Sequence, residues 1–249
     1  MTIERRFEES FNRILSDCTE EIYTKYYFSK TDMIYSKERL KTNVIFLDKL
    51  LTNYKDILIV GGKTFIDFVL EDLGLYKNKN ITYTDFDLRY KFPYVDSSFD
   101  FIINSEVIEH IKDQDGSLQV DVFNFSGLDN FMKELNRVLK KDGKMFMTTP
   151  NSCSFKNLIK LLQHRNHMRY FYHVREYSFD DLKYMADKYG FIIESLQDID
   201  VGIDIEEDLN CINLSNHIRN YENLFRGYSK EMRGDTFYIL LLKDDKSEN

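Results

Sequence analysis

Nothing in this chain suggests an export signal, a membrane span or a disulfide framework. No apolar run in its 249 residues approaches the roughly 20 residues that a bilayer-spanning helix needs. The opening stretch Met1-Thr2-Ile3-Glu4-Arg5-Arg6-Phe7-Glu8-Glu9 carries acids where a signal peptide has its apolar centre, so the expected location is the cytoplasm. Cys18, Cys153 and Cys211 are odd in number, far apart and without a CxxC partner. That excludes a disulfide scaffold and fits reduced thiols. With two prolines and ten glycines there is no Pro/Gly-rich linker, and internal repeats and low-complexity tracts are absent too. The expected organisation is one α/β core with an extension, because two full domains would be hard to build from a chain of this length.

Acidic residues outnumber basic ones, 42 to 34, giving a net charge of −8. This weighs against a surface that grips a nucleic-acid backbone, which is bound through phosphate neutralisation. One stretch reverses the balance. From Asn151 to Arg175 the chain has no Asp or Glu, but carries Lys156, Lys160, Arg165, Arg169 and Arg175 with His164, His167 and His173. Lys156, Lys160 and His164 recur at helical spacing, which suits a solvated face. Arg165, Arg169 and Arg175 instead suit a phosphate on a substrate, which their planar donors would bind. Tyr170, Phe171 and Tyr172 would then wall the pocket.

Phe7, Phe11, Ile14 and Leu15 at helical spacing predict a helical extension or lid over residues 1–35, ahead of a main domain over 36–245. Ser36 is placed to cap a helix carrying Leu40, Val44, Leu47 and Leu51. A short apolar run, Asp56-Ile57-Leu58-Ile59-Val60, reads as a buried strand ended by Gly61-Gly62, and Phe65, Phe68, Val69 and Leu73 predict a helix ending near Gly74. Further strands are expected at Ile81–Thr84, Phe99–Asn104, Lys144–Thr149 after a turn at Lys141-Asp142-Gly143, Phe191–Leu196 and Thr236–Leu242. Helices are expected at Leu128–Leu139 and from Ser178 towards Gly190. This alternation predicts a three-layer α/β sandwich with a mostly parallel sheet. The long insert over 201–233 before the last strand predicts an antiparallel pair at one edge.

The stretch Phe99-Asp100-Phe101-Ile102-Ile103-Asn104-Ser105-Glu106-Val107-Ile108-Glu109-His110-Ile111 runs from a buried-strand pattern into a short helix. Glu106, Glu109 and His110 stand there at i, i+3 and i+4, which on a helix puts three potential metal ligands on one face.

The order of motifs resembles the class I S-adenosylmethionine-dependent methyltransferases, over roughly residues 55–200. The resemblance is carried by Phe92-Pro93-Tyr94-Val95-Asp96-Ser97-Ser98-Phe99-Asp100 leading into the Glu106–His110 turn, by Phe131-Met132-Lys133-Glu134-Leu135-Asn136-Arg137-Val138-Leu139-Lys140-Lys141-Asp142-Gly143, by Thr148-Thr149-Pro150-Asn151, and by His173-Val174-Arg175-Glu176-Tyr177-Ser178 before Gly190-Phe191. It implies a Rossmann-like fold with S-adenosylmethionine as methyl donor. In the family a loop of the form D-x-G-x-G-x-G passes close to the methionine portion of the cofactor. Here Ile59 takes the acidic position and Lys63 and Phe65 take the later glycine positions, which leaves Gly61 and Gly62. An acid after the second strand binds the ribose in the family, a role that falls to Asp85 or Asp87, and Ser105 joins the implied cofactor contacts. The alternative for the two aspartates is a turn cap.

Glu-x-x-Glu-His with a later His is also similar to the small-RNA 3′-terminal 2′-O-methyltransferases, in which two glutamates and two histidines hold a divalent metal. Residue by residue this implies Glu106, Glu109, His110 and His173, with Mg or Mn bound. A divalent ion would favour the alkoxide of an acceptor hydroxyl and direct it at the sulfonium methyl. The competing reading makes His110 a general base tuned by Glu106 or Glu109. The expected activity is O-methylation of a small phosphorylated or sugar-containing acceptor, with bacterial surface-glycan biosynthesis as the setting by analogy. Two alternatives stand beside it: an RNA 2′-O-methyltransferase, and a non-catalytic binding subunit suggested by Lys63 and Phe65 in the glycine loop.

Overall fold

The structure is a computed structural model that describes residues 1–26, 29–115, 126–162, 164–166, 172–201 and 234–244. Of the insert read over 201–233 only Val201 is described, and His167, Arg169, Tyr170, Phe171 and Cys211 also lie outside the described residues.

Six strands form one sheet: β1 (Asp56–Ile59), β2 (Asn80–Tyr83), β3 (Phe99–Ser105), β4 (Leu139–Pro150), β5 (Phe191–Ile199) and β6 (Thr236–Lys243), in the order β2-β1-β3-β4-β6-β5. β1 pairs in parallel with β2 and β3, and β3 pairs in parallel with β4. β6 runs antiparallel between β4 and β5. The mostly parallel sheet with an antiparallel edge pair is therefore the architecture expected from the sequence.

Strand periodicity sorts the apolar residues onto two faces. On one face Ile57, Phe101, Phe146 and Tyr238 pack against α1 (Ile3–Asp17), α4 (Lys37–Leu50) and α5 (Phe65–Asp72) through Phe7, Phe11, Val44, Leu47 and Val69. On the other, Leu58, Ile102, Met145 and Met147 pack against α6 (Ser126–Val138) and α8 (Phe179–Lys188) through Phe131, Leu135, Leu182 and Met185. Each such fully buried side chain contributes on the order of 1.5–3 kcal/mol. α1 is also tied to the end of α5 by polar bonds: Ser10 Oγ donates to Asp72 Oδ2 (2.6 Å) and Arg6 Nη2 to the Leu73 carbonyl (2.6 Å). The short α2 (Glu20–Lys25) and α3 (Lys30–Tyr35) precede α4, and α7 (Phe155–Leu162) follows β4. Among the described residues no helix is long and apolar enough to cross a membrane.

Three local expectations are corrected. The turn read at Lys141-Asp142-Gly143 lies inside β4, where Phe99 pairs with Leu139 and Phe101 with Lys144. The extra residues bulge out of the ladder with Asp142 at φ +58°, so pairing to β3 continues on both sides of them. Ser36 precedes α4, but its side chain makes no capping hydrogen bond; its Oγ accepts from Arg39 Nη2 at 3.3 Å instead. His164 falls beyond the end of α7, at φ +56°, and so does not continue the helical face of Lys156 and Lys160.

Between β2 and β3, residues 84–98 form neither helix nor strand. Glu134 and Arg137 on α6 hold this connection down. The Phe92 amide donates to Glu134 Oε2 (2.7 Å), and Arg137 Nη1 donates to the Tyr94 carbonyl (2.8 Å).

The capping box of α5 carries a testable consequence. Asp67 is 1% exposed and accepts from the Thr64 amide (2.7 Å), Thr64 Oγ1 and the Tyr76 hydroxyl (2.8 Å). Burial still outweighs these bonds and lifts its pKa from 3.8 to about 6. The folded protein thus holds this proton more tightly than the unfolded chain does. Its contribution is full below pH 3.8 and is lost as pH rises through about 6, a span worth about 3 kcal/mol. Between pH 4 and 7 the wild type is expected to lose about that much stability relative to Asp67→Asn. Parallel denaturant titrations check this, and a pH-independent difference between the two proteins would refute it.

Candidate active site

The carboxyl ends of β1, β2, β3 and β4 converge on one rim. β1 ends in Gly61 and Gly62, both left-handed at φ +89° and +86°. The Gly61 amide donates to Thr84 Oγ1 at 2.9 Å, which draws the loop after β1 against the end of β2. Just beyond lies Asp85, which is exposed and has no hydrogen-bond or ion-pair partner among the described residues. Asp87 differs: both of its carboxylate oxygens bond Arg89 (2.7–3.1 Å), which helps hold its pKa below the usual range. Of the two aspartates, Asp85 has the carboxylate open to a pair of ribose hydroxyls.

β3 ends in Ser105, whose Oγ accepts from Asn43 Nδ2 (3.0 Å) and shares a hydrogen bond with Thr148 Oγ1 (2.9 Å). The next residue overturns the helical spacing read from the sequence. Glu106 is at φ +57°, outside the single 3₁₀ turn Ile108–His110, so Glu106, Glu109 and His110 do not share a helical face. The Glu106 carboxylate pairs with Arg39 of α4, while its Oε1, like Asn43 Oδ1, is buried without a partner. A left-handed residue is needed here because the chain leaves β3 still bonded to β4, the Glu106 amide donating to the Thr148 carbonyl (2.9 Å), and then turns sharply.

Glu109, His110 and His173 do come together: one potential ligand atom of each lies within 4.8 Å of the others. The backbone brings them there. The Val174 amide donates to the Glu109 carbonyl (2.8 Å) and the Tyr177 hydroxyl to the Ile108 carbonyl (3.3 Å), which docks the 173–177 segment beside the 3₁₀ turn. Glu109 is 0% exposed; Oε2 accepts from Thr149 Oγ1 (3.1 Å) and Oε1 has no partner. Burial, reinforced by the charge of Glu106, pushes its pKa well up. His110 is exposed, and its pKa is lowered by desolvation and then by His173. The two imidazoles meet edge to face, with centroids 4.8 Å apart. His173 Nδ1 lies 2.8 Å from Glu176 Oε1, and Glu176 Oε2 accepts from Asn157 Nδ2 (3.0 Å).

A buried carboxylate with one orphaned oxygen beside two imidazoles lacks positive charge, and a divalent cation would supply it. This donor set fits a first-row ion with positions left open. The rim fits S-adenosylmethionine in the same way. Gly62 meets nothing nearer than the Thr84 carbonyl, 3.6 Å from where a Cβ would stand, and the orphaned Glu106 Oε1 and the open Asp85 carboxylate are acceptors for a cationic amino-acid end and a ribose.

Of the expected substrate-binding arginines, Arg165 is exposed past α7. Arg175 turns its guanidinium to Asp181 (2.8 Å) and packs over the Tyr177 ring. Arg169 lies outside the described residues. The sequence reading missed Arg39, Asn43, Thr149, Asn157 and Glu176. Only Glu176 had a local signal, its i+3 spacing from His173.

Fold and rim together define a class I S-adenosylmethionine-dependent methyltransferase. The family described as a methyltransferase domain matches residues 43–196, and the chain belongs to it. Among solved structures, a SAM-dependent methyltransferase from Archaeoglobus fulgidus is 17% identical with a TM-score of 0.51, the match covering 89% of this chain and 97% of that one. A SAM-dependent methyltransferase from Thermotoga maritima, described as a possible histamine N-methyltransferase, is 14% identical with a TM-score of 0.51 and the same coverage. At such identities the likeness concerns the fold. No curated protein sequence matches the chain.

Proposed function

We propose that this methyltransferase acts on a hydroxyl, with a divalent metal held by Glu109, His110 and His173. The observation that supports this is the buried, half-satisfied Glu109 carboxylate set against two imidazoles. Two nitrogen donors favour Mn²⁺ over Mg²⁺. Glu106, tied to Arg39, is left out of the ligand set; it and Arg39 serve the amino-acid end of the cofactor. Gly61, Gly62 and Ser105 line that end and Asp85 takes the ribose. Residues 36–245 then form the catalytic domain, with 1–35 as its helical extension.

Bound S-adenosylmethionine supplies an electrophilic methyl on a sulfonium that leaves as neutral S-adenosylhomocysteine. A metal at the cluster would lower the pKa of an acceptor hydroxyl. Glu109 would supply negative charge to such an ion and the two histidines its direction, with the hydroxyl proton passing to solvent on the exposed side of the cluster, where His110 lies. A second reading, in which His110 alone is the general base, is favoured by its lowered pKa, which keeps the ring neutral and able to take a proton near pH 7. The acceptor is a small phosphorylated or sugar-containing molecule, such as a glycan precursor. The acidic balance of the chain favours it over RNA, and Arg165 is the exposed cation for its phosphate.

The test is release of S-adenosylhomocysteine with a panel of sugar phosphates, nucleotide sugars and short RNA, before and after chelation. Chelator is expected to cut turnover at least about tenfold and Mn²⁺ to restore it. Turnover indifferent to both would leave His110 as the base, and turnover on RNA alone would replace the acceptor class.

A further inference from the structure

We propose that Glu176 is a positioning residue: it fixes the tautomer of His173, so that this ring meets Glu109 and His110 with Nε2 unprotonated. The inference rests on the metal reading of that cluster given above.

A chain of buried hydrogen bonds carries it, and each link sets the sense of the next. Asn157, 4% exposed, turns its Nδ2 towards two backbone carbonyls, Asn151 (3.0 Å) and Ser152 (3.4 Å). Carbonyl oxygens only accept, so the amide side of Asn157 is defined and its Nδ2 is what faces Glu176 Oε2 at 3.0 Å. That bond requires an acceptor on Glu176. The other oxygen, Oε1, stands 2.8 Å from His173 Nδ1. With Glu176 ionised, as the proposal has it, Oε1 accepts too, so Nδ1 carries the proton and Nε2 is the nitrogen left with a lone pair. The neighbouring ring is anchored in a comparable way, through a hydrogen bond to the Tyr172 backbone.

Burial makes a merely structural role expensive. Glu176 is 7% and His173 5% exposed, and two apolar side chains of similar size would fill the same space without desolvating a carboxylate. What a carboxylate does here that an apolar residue cannot is choose which imidazole nitrogen is available. A ligating histidine typically gives its other N–H to such a partner, and loss of the partner typically costs about 10–100-fold in metal affinity.

The test uses the full-length protein labelled with ¹⁵N in histidine. Multiple-bond ¹⁵N–¹H spectra at pH 8 report which ring nitrogen is protonated, and His173 is identified by the signal missing in His173→Gln. The wild type is expected to show the Nδ1–H form. In Glu176→Gln the amide oxygen satisfies Asn157 and the amide nitrogen faces Nδ1, so the proton is expected to move to Nε2. Mn²⁺ affinity, read by electron paramagnetic resonance, should then fall about 10–100-fold, with the melting midpoint within a few degrees of wild type. Nε2–H in the wild type, or an unchanged tautomer and Mn²⁺ affinity in Glu176→Gln, overturns the proposal. The wild-type spectrum decides by itself if the variant does not fold. Absence of Mn²⁺ binding by the wild type refutes the metal reading instead, and the tautomer then still decides the role of Glu176.

Discussion

Glu109→Gln is expected to lower methyl transfer by about 100-fold or more, and yet to leave the metal-free protein at least as stable as wild type. The two effects have one cause. Glu109 is 0% exposed, and the arrangement leaves Oε1 without a partner while Oε2 accepts from the Thr149 hydroxyl. Holding a carboxylate in such a place costs several kcal/mol when no cation shares it. Glutamine keeps the shape and an oxygen for Thr149 but carries no charge, so the desolvation cost is relieved and the melting midpoint should hold or rise by a few degrees. The charge that a metal needs disappears with it, and Mn²⁺ binding should weaken by about 100-fold. Calorimetric melting with and without Mn²⁺, alongside S-adenosylhomocysteine release, measures both. If Glu109→Gln melted well below wild type and still turned over normally, the carboxylate would be a structural group and the cluster no metal site.

What the sequence made legible follows from which interactions are local. β1 and β3 could be read because runs such as Ile57-Leu58-Ile59 and Phe101-Ile102-Ile103 are buried on both faces, and only a covered parallel sheet asks for that. The start of α8 at Ser178 could be read because its cap is local: Ser178 and its partner Asp181 lie within one turn. Glu106 misled because ligand spacing was counted along a helix that begins only at Ile108. Its left-handed backbone is imposed by β3 remaining paired with β4, a contact some forty residues away in sequence, and its partner Arg39 is more distant still. The bulge at Asp142 is another register effect that local turn chemistry imitates. His173 could be named as a ligand from family resemblance, but its closeness to Glu109 depends on backbone bonds between segments more than sixty residues apart. The site was thus readable as a set of residue types, and its geometry was not.

Gly61→Ala should be the most damaging single-methyl change in the cofactor loop, and Gly62→Ala a milder one. Both glycines are left-handed, so an alanine at either pays about 1–2 kcal/mol for its backbone. Only at Gly61 does the new Cβ also meet a wall: it would stand 2.8 Å from Val107 Cγ2 on the loop after β3, whereas at Gly62 the nearest atom is the Thr84 carbonyl at 3.6 Å. Relief requires either the β1 loop or the Val107 turn to move, and the second of these carries Ile108–His110 just behind it. The affinity for S-adenosylhomocysteine, measured by titration calorimetry, is therefore expected to fall at least about tenfold in Gly61→Ala, a loss of about 1.4 kcal/mol. Gly61→Ala combined with Val107→Ala should return to the level of Gly62→Ala, because the truncation removes the contact and leaves the backbone term. The positions where the family pattern has further glycines cannot compensate: Phe65 is 1% exposed within the core, and Lys63 reaches away to Glu71 (2.7 Å). On the proposed reading the close approach to the cofactor therefore falls to Gly61 and Gly62. Unchanged affinity in Gly61→Ala would mean that the cofactor is held from the Asp85 and Arg39 sides of the rim, with the loop a bystander.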